Sequence, residues 1–427
     1  MSKEYYFISD LHIGGDGLLN HCDFEEELIG FLQRLAKNKG EKELIIIGDA
    51  FGLWELTQSK GLEKLRFLVH SHARLFDQFK ATAETIQITL IPGNHDYELA
   101  CHPEYIPFLE QYGIHLDPAA HIMRETEGHQ IWIEHGNQHD SFNTFEYYGN
   151  PASTPVGYYI TSQFVGAAGE LSKKGRGDWL KDIQAVYPTE HIPHWVFSNY
   201  FYREMSPMLR YLLLPFLLLF TLSLLIVFFA ILEHKNLLPS QFAQIELLRK
   251  IGGFSKLLEW MILANTTLIT FFLVLAIPLF FIGRDVYSTL RRYKLMGMEH
   301  AVEDKANEYD LAAQKVFDRD QAVKVFIYGH THEASLKVQS GRAIINTGTW
   351  IKKLTRVEAH ARFLPDVYAP SYCLSVFCIR AAANGRLEIA FEVMDKKPEQ
   401  ELTWLQRLVT FGRRPEARPD IPPVTIL

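Results

Sequence analysis

The chain has 427 residues, which is enough for two or three domains. Its 43 basic and 50 acidic residues give a formal net charge of −7, a balance that argues against a general nucleic-acid-binding protein. The cysteines show neither a paired nor a metal-ligand spacing, so we expect a reducing compartment without a disulfide framework; they are Cys22, Cys101, Cys373 and Cys378. The first apolar run begins at Tyr5, so we expect no signal peptide before it.

The first 140 residues alternate between short apolar runs and segments with helical periodicity. The helical segments are 24–37, 61–79 and 100–112, of which the last is interrupted by prolines, and Asp23 is a candidate cap for the first. The run from Leu44 to Ile47 is rich in β-branched residues, which is typical of a strand buried on both faces. This alternation predicts an α/β core with helices on the sheet.

Five predicted strands, four in this region and one further along the chain, end in residues that can bind a metal ion. Gly48 lets the chain turn after the strand 44–47, and Asp49 then lies at the carboxyl edge of the sheet, where open α/β folds bind ligands. Four other predicted strands end in the same way; they cover 5–8, 85–91, 130–133 and 322–328. Their ends carry Asp10, His12, Asn94, His95, Asp96, His135, His330 and His332. Aspartate, asparagine and histidine suit hard or borderline metals, and residues two apart on an extended chain can face one ion.

These motifs resemble those of the calcineurin-like metallophosphoesterases. Five match in the family's order: Asp10-x-His12, Gly48-Asp49, Gly93-Asn94-His95-Asp96, His135-Gly136 and Gly329-His330-Thr331-His332. The resemblance covers residues 1–140 and 322–394 and omits the middle of the chain. It implies an α/β fold in which two sheets form an αββα sandwich, and it implies a metal-dependent phosphoric ester hydrolase.

The resemblance also implies a role for each matching residue. One metal ion would be held by Asp10, His12, Asp49 and His332. The second would be held by Asp49, Asn94, His135 and His330, with Asp49 bridging. A ligand set of Asp, Asn and His without thiolate suits manganese, iron, zinc or cobalt, and the resemblance favours manganese. Two such ions can clamp a phosphoryl group and generate a hydroxide at neutral pH. Asp49 and His95 are the expected catalytic residues, and His95 would stabilise phosphoryl oxygens or protonate the leaving group.

The alternative for each of these residues is an ordinary polar side chain satisfied at a strand end. Asp96 could orient a metal ligand or cap the following helix, and the sequence favours neither. Trp54 could meet an apolar substrate or lie in the core. Further candidates are expected in loops rather than at the substrate: His139, Asp140, Glu333, Asn346 and Trp350. The remaining histidines are expected at the surface or an interface, among them His70, His72, His191 and His194.

The segment 141–207 is dense in aromatic residues, with a basic cluster at 173–176. One interpretation is an irregular insertion with its own small core. The other is a membrane-facing cap, with aromatics at the interface and lysines near headgroups. The apolar stretch that follows favours the second.

Two stretches without charged residues, 211–232 and 260–282, predict a transmembrane hairpin. As a helix rising 1.5 Å per residue, each stretch is longer than the ~30 Å hydrocarbon core of a bilayer. The alternative is a pair of helices buried in the protein core. Four motifs precede the hairpin and one follows it, so all five must lie on the same side of the membrane to form one site. Two crossings return the chain to that side. Six basic residues flank the catalytic side against four in the connecting loop, which favours a cytoplasmic catalytic domain. The loop 233–259 predicts an amphipathic helix on the far membrane surface or against a partner.

The predicted organisation has six parts. They are a first core part (1–140), an aromatic-rich membrane-proximal insertion (141–207), a transmembrane hairpin with an interfacial loop (208–284), a helical connector (285–321), a second core part (322–398) and a C-terminal tail (399–427). The second core part contains predicted strands at 343–346, 372–379 and 387–394. The tail has an amphipathic stretch at 402–411 and, from Arg413, a composition typical of disorder.

The first functional hypothesis is an integral membrane enzyme that hydrolyses a phosphate ester or diphosphate bond in a lipid or lipid-linked substrate. A membrane-anchored phosphodiesterase or phosphatase of a soluble, nucleotide-like substrate is the alternative, and a metal-stabilised scaffold is the third. The expected partners are the lipid bilayer and a lipid phosphate or phosphorylated small molecule, with no nucleic acid. The motifs are similar to those of UDP-diacylglucosamine pyrophosphohydrolase, a family member that has arginine at the position of His95 and lacks such a hairpin. The resemblance therefore supports the wider family.

Overall fold

The computed structural model describes residues 3–14, 22–37, 40–159, 161–162, 180, 182–187, 191–210, 301–360, 364–396, 402–413, 415 and 418–427, with isolated positions between 221 and 284. The chain divides into two compact units. Met1–Glu204 and Lys305–Leu427 form the first, and Met205–Asp304 form the second. The sheets and the candidate site belong to the first unit.

The larger sheet joins a parallel half to an antiparallel half. The parallel strands are β1 (Glu4–Ile8), β2 (Lys42–Ile47), β3 (Gln87–Ile91) and β4 (Ile114–Leu116). The antiparallel strands are β13 (Leu374–Ala381), β14 (Leu387–Met394) and β15 (Val424–Ile426). In the described part of the chain the order is β15-β14-β13-β1-β2-β3-β4. Because β1, β2 and β3 are parallel neighbours, their carboxyl ends lie side by side.

The second sheet brings together strands from both parts of the sequence. Its strands are β5 (His121–Thr126), β6 (His129–Glu134), β8 (Val323–Tyr328), β9 (Ser335–Gln339) and β10 (Arg342–Asn346). They lie in the order β5-β6-β8-β10-β9, and β6, β8 and β10 are parallel. The ends of β6 and β8 are therefore adjacent, although nearly two hundred residues of sequence separate them.

Side-chain alternation along β2 shows how the layers are built. Leu44 and Ile46 pack with the helices on the outer face of the larger sheet. These helices are α1 (Glu25–Lys37), α2 (Leu62–Ser71), α3 (Ala73–Ala83), α4 (Glu98–Cys101) and α5 (Tyr105–Glu110). Ile45 and Ile47 point the other way and pack against the second sheet. This burial on both faces is what the apolar sequence of β2 predicts, and the α/β fold with two facing sheets is confirmed.

Helix α8 (Ala301–Arg319) covers the outer face of the second sheet, after α6 (Val156–Tyr159) and α7 (Ile192–Asn199) in the chain. Ala313 and Phe317 of α8 are buried with Phe326 and Tyr328 of β8. The two sheets thus lie between helices, which agrees with the layered sandwich that the resemblance implies.

A third, small sheet contains part of the aromatic-rich insertion. Its strands are β7 (Val186–Tyr187), β11 (Lys353–Val357) and β12 (Val367–Ser371), in the order β12-β11-β7. Trp195 of α7 is buried with Leu354 and Tyr368 of this sheet. The described part of the insertion therefore belongs to a small core that it shares with 353–371.

Two predicted helices are each divided. The segment 61–79 forms α2 and α3, which meet at His72, whose backbone angles of φ −120° and ψ 38° are not helical. The segment 100–112 contributes to α4 and α5, which are separated at His102 and Pro103. Proline disfavours helical geometry in the residue before it, so this second break has a local cause.

The prediction of a disordered tail is wrong over its last residues. Helix α9 (Trp404–Thr410) begins at a capping box made by Thr403 and Gln406. Strand β15 then pairs with β14, and Leu427 packs against the core between the sheets. The proline- and arginine-rich composition is typical of disorder, but an edge strand tolerates proline beside it.

The predicted spans 211–232 and 260–282 lie outside the described residues, apart from isolated positions. Where the structure describes these segments, Thr267 and Thr270 donate hydroxyl hydrogen bonds to the carbonyls of Leu263 and Thr266, as on a helix. No helix within the described residues has both the length and the apolar composition of a membrane crossing.

Candidate active site

The five strand ends singled out by the sequence meet in one place. The ends of β1, β2 and β3 come from the larger sheet, and those of β6 and β8 from the second. They bring together two groups of side chains, in each of which the candidate ligand atoms lie within 4.8 Å of one another. The groups are Asp10 with His12 and His332, and Asp49 with His135 and His330.

The first group places electron-rich atoms against each other. Nε2 of His12 is 3.2 Å from Nε2 of His332. Oδ1 of Asp10 is 3.2 Å from the same His332 nitrogen, yet it is buried and has no hydrogen-bond partner among the described residues. A buried carboxylate oxygen without a donor is costly, and a shared cation between the three side chains would satisfy it.

The second group has the same character. Nδ1 of His135 donates to the Ile47 carbonyl at 2.9 Å, so Nε2 carries the lone pair when the ring is neutral. That Nε2 is 3.2 Å from Oδ2 of Asp49 and 3.2 Å from Oδ1 of Asn94, both of which are acceptors. The Asp49 oxygen is also 3.7 Å from Nε2 of His12, which places it between the two groups.

Without metal, protons must supply the positive charge that these carboxylates need. Burial raises the pKa of Asp49, but His135 and the other histidines outweigh burial and hold it well below its usual range. Burial lowers the pKa of His135, but Asp49 outweighs this and raises it to about 10. A divalent ion would displace the proton of His135 and take over its charge. The geometry and the donor set therefore fit two divalent metal ions.

The backbone at these positions is strained. Eight described residues other than glycine have a positive φ, and five of them are predicted ligands: Asp10, His12, Asp49, His330 and His332. Such angles cost about 1–3 kcal/mol each and persist where the surroundings impose them, which is typical of functional sites. Gly93 shows how tightly the loops pack, because a Cβ there would lie 2.2 Å from Oδ1 of Asp49.

Two buried aspartates hold the candidate ligands in place. Asp96 accepts hydrogen bonds from the backbone N–H groups of Ala50, Phe51 and Gly93 at 2.6–3.2 Å. It therefore ties the Asp49 loop to the Asn94 loop. Oδ2 of Asp140 is 3.1 Å from Nε2 of His330, although the sequence placed Asp140 in a solvated loop. This contact holds the imidazole ring of His330 in a fixed orientation.

His95 is positioned by a residue that the sequence did not single out. Its Nδ1 is 2.9 Å from Oε1 of Glu55, and the ring of Trp54 lies 4.4 Å away at 30°. The backbone N–H of His95 donates to Oδ1 of Asp49 at 2.7 Å. Burial lowers the pKa of His95, but Glu55 and Asp49 outweigh it and raise the pKa to about 9. A protonated imidazole beside the metal ligands is suited to giving a proton to a leaving group. Trp54 itself is buried, as the core alternative predicts.

The segment 140–159 borders the site. Tyr158 contacts Trp54 edge-on at 5.7 Å, and Phe145 stacks on Tyr97 at 3.5 Å. Tyr147 and Tyr159 of this segment are 62% and 51% exposed. Aromatic surface therefore lies open to solvent within a few side chains of His95.

The remaining candidates have structural partners. Nε2 of His139 contacts Oε1 of Glu134 at 2.6 Å. Asn346 is buried and donates to the Gly329 carbonyl and the Thr331 hydroxyl, while Trp350 lies in the helical core. Glu333 is exposed. Asn346 thus supports the loop that carries His330. Trp350 is buried in the core and is therefore not a substrate contact.

Residues 4–215 match the family model described as calcineurin-like phosphoesterase. Among solved structures, a conserved uncharacterized protein of Streptococcus pneumoniae TIGR4, described as a predicted phosphoesterase, is 9% identical with a TM-score of 0.28, covering 94% of this chain and 95% of that one. Vacuolar protein sorting 29 from Cryptosporidium parvum is 11% identical with a TM-score of 0.24, covering 93% and 100%. A single mutant of Vps29 from Entamoeba histolytica is 9% identical with a TM-score of 0.28, covering 91% of this chain and 92% of that one. No curated protein matches the sequence.

Proposed function

We propose that the chain, whose residues 4–215 match the calcineurin-like phosphoesterase model, is a metal-dependent phosphoester hydrolase that works through a dinuclear centre. Asp10, His12 and His332 would hold one ion. Asn94, His135 and His330 would hold the other, and Asp49 would bridge the two. Manganese is the first choice, and iron, zinc or cobalt fit the same donors. When bound, two divalent ions neutralise the phosphoryl oxygens and supply a water nucleophile at neutral pH.

The observation that supports this proposal most strongly is the position of Asp49 Oδ2, 3.2 Å from His135 Nε2 and 3.7 Å from His12 Nε2. One carboxylate oxygen thus faces both groups of ligands. His95 would act on the substrate, giving the proton at Nε2 to the departing oxygen while Glu55 holds Nδ1. Phosphoryl transfer depends mainly on positioning and charge neutralisation, which is what these rigid, buried side chains provide.

We further propose that the enzyme is membrane-bound and acts on a lipid phosphate or a lipid-linked diphosphate. Two observations support this substrate class. The sequence contains the apolar stretches 211–232 and 260–282, and the structure leaves Tyr147 and Tyr159 exposed on the segment beside His95. Exposed aromatic side chains suit an interface with lipid. The catalytic domain would face the cytoplasm, as the distribution of basic residues favours. A soluble, nucleotide-like ester is the second candidate, in which case the apolar stretches would serve only as an anchor.

The experiment that tests this proposal is a substrate panel with the Mn²⁺-loaded, full-length protein in detergent. Phosphate or headgroup release would be followed from lipid phosphates, lipid diphosphates and nucleotides. Asp49→Ala should abolish turnover, whereas Asp395→Ala, which removes an exposed carboxylate far along the chain, should not. Turnover of lipids alone supports the lipid proposal. Turnover of nucleotides alone overturns it in favour of the anchored enzyme, and no turnover from any ester by metal-loaded protein overturns both.

A further inference from the structure

A second cluster of metal-ligand side chains lies outside the candidate active site. It consists of Cys22, which precedes α1, Glu25 in the first turn of α1, and His72 at the junction of α2 and α3. Their candidate ligand atoms all lie within 4.8 Å of one another. Donor atoms of a tetrahedral ion with bonds of about 2.0–2.3 Å are about 3.5 Å apart, so a contraction of about an ångström would complete such a site.

The histidine is held as a metal-bound histidine usually is. Nδ1 of His72 faces Oε2 of Glu25 at 2.8 Å, and Nε2 faces the Gly14 carbonyl at 3.1 Å. A metal-ligating imidazole typically coordinates through one nitrogen and donates the other N–H to a carbonyl or carboxylate. The backbone at His72 is also fixed, since its N–H donates to Leu68 and its carbonyl accepts from Leu75 and Phe76.

Cys22 packs with the helical core, and its sulfur also lies within 4.8 Å of the ligand atoms of His72 and Glu25. Cys22 is only 6% exposed, and the side chains of His72 and Glu25 are 11% and 23% exposed. A thiol adds nothing to a charged hydrogen bond, but thiolate, carboxylate and neutral imidazole together balance the two positive charges of one divalent ion. A neutral assembly of this kind can be buried at little cost.

We propose that Cys22, Glu25 and His72 form an additional metal site that takes a thiophilic divalent ion such as Zn²⁺ or Co²⁺. Thiolate, imidazole and carboxylate in one set select these ions rather than Mg²⁺ or Ca²⁺. The bound ion joins the start of α1 to the α2–α3 junction. Through His72 Nε2 it also fixes the Gly14 carbonyl, two residues after His12.

Metal binding requires the thiolate form of Cys22. Burial raises the pKa of the Cys22 thiol well above its usual range, and the neighbouring Glu25 adds to this effect. The thiol therefore stays protonated until a metal ion displaces the proton. Binding then releases a proton, so the affinity of this site rises with pH.

The test is optical titration of the reduced, metal-free, full-length protein with Co²⁺. Thiolate bound to Co²⁺ gives a charge-transfer band in the near ultraviolet, and none of the ligands proposed for the dinuclear centre is a thiolate. We expect the band in the wild type, its loss in Cys22→Ser and its retention in Cys378→Ser, which removes a different buried cysteine. The Cys22→Ser variant should bind one Co²⁺ fewer per chain.

A second pair of variants tests the site independently, in case the Cys22→Ser variant misfolds. Glu25→Gln should weaken the Co²⁺ affinity of the thiolate band at least about tenfold. Glu26→Gln, whose partner Arg74 lies on the surface, should leave it unchanged. A wild type without the band, or a band that survives Cys22→Ser, overturns the proposal whether or not the protein hydrolyses phosphoesters, because the readout does not depend on turnover.

Discussion

Oε1 of Glu55 lies 2.9 Å from Nδ1 of His95, and both side chains are largely buried beside the ligands of the candidate dinuclear centre. This contact fixes which ring nitrogen is free to face a substrate. It also keeps a negative charge close to the ring, which stabilises the protonated form. If His95 is catalytic as proposed, Glu55 would act through it as a positioning residue.

Replacing Glu55 by glutamine should lower kcat about 10–100-fold while leaving KM and metal content unchanged. The glutamine keeps the size of the side chain but removes the charge that orients and holds the protonated ring. The measurement is steady-state kinetics with metal analysis of the same sample, and Glu26→Gln is the control. Loss of a metal ion from Glu55→Gln would contradict this role, because it would make Glu55 a ligand together with His12 and His95, whose ligand atoms also lie within 4.8 Å of it.

Gly93→Ala should abolish activity and reduce metal binding. The added Cβ would lie 2.2 Å from Oδ1 of Asp49 and 2.5 Å from its backbone nitrogen, so the bridging carboxylate has to move. A displacement of about 1 Å at such a site costs about 10²-fold in rate. The matched control is Gly30→Ala in α1, where a Cβ meets nothing within 4 Å and should stabilise the helix by about 0.5–1 kcal/mol. Full metal content and normal kcat in Gly93→Ala would show that the loops are not packed as described.

Glu43→Gln should lower the free energy of unfolding by about 3 kcal/mol at neutral pH. Glu43 is buried and accepts hydrogen bonds from Arg124 at 2.7–3.1 Å. Burial raises the pKa of Glu43, but Arg124, Lys3 and Thr89 outweigh it and lower the pKa below its usual value. The stabilisation is therefore present above the unfolded-state pKa of about 4.3 and is lost as the pH falls through the folded-state pKa.

Urea unfolding of the metal-free protein at neutral pH and near pH 3.5 checks this prediction. The difference between the wild type and Glu43→Gln should shrink at the lower pH. Glu392→Gln removes an exposed partner of Arg34 and should change the unfolding free energy by less than about 1 kcal/mol. A difference that is the same at both pH values would mean that the charge of Glu43 is not what stabilises the fold.

Tyr159→Ala should lower kcat/KM about tenfold for a lipid phosphate and leave a small soluble ester unaffected. Tyr159 is exposed and contacts Tyr158, which contacts Trp54 beside His95. A tenfold change corresponds to about 1.4 kcal/mol of binding free energy, which is the size expected for losing an apolar contact with a lipid chain. Phe197→Ala, which removes another exposed aromatic side chain on α7, is the control. Equal losses for both substrates would count against a lipid contact at Tyr159.

The sequence predicts which candidate ligands lie close together, because most of them follow a strand within three residues. Asp10, Asp49, Asn94, His135 and His330 lie at the ends of β1, β2, β3, β6 and β8, and parallel neighbours bring those ends together. At these positions the local sequence pattern and the geometry of parallel strands are sufficient to predict that the side chains lie close together.

The residues that support the site could not be found in this way. Asp140 reaches His330 across 190 positions of sequence, and Cys22 reaches His72 across fifty. Contacts of this range depend on how loops and helices pack, and no local periodicity encodes them. The break at His72 was missed for the same reason, since the apolar spacing of α2 continues into α3.

The most direct test of the central claim is a crystal structure of the Mn²⁺-loaded protein with anomalous scattering data. We expect two manganese peaks roughly 3.5–4 Å apart. One should lie among Asp10, His12 and His332, the other among Asn94, His135 and His330, with Asp49 bonded to both. A single peak, no peak at these residues, or two ions without a shared Asp49 would contradict the dinuclear centre.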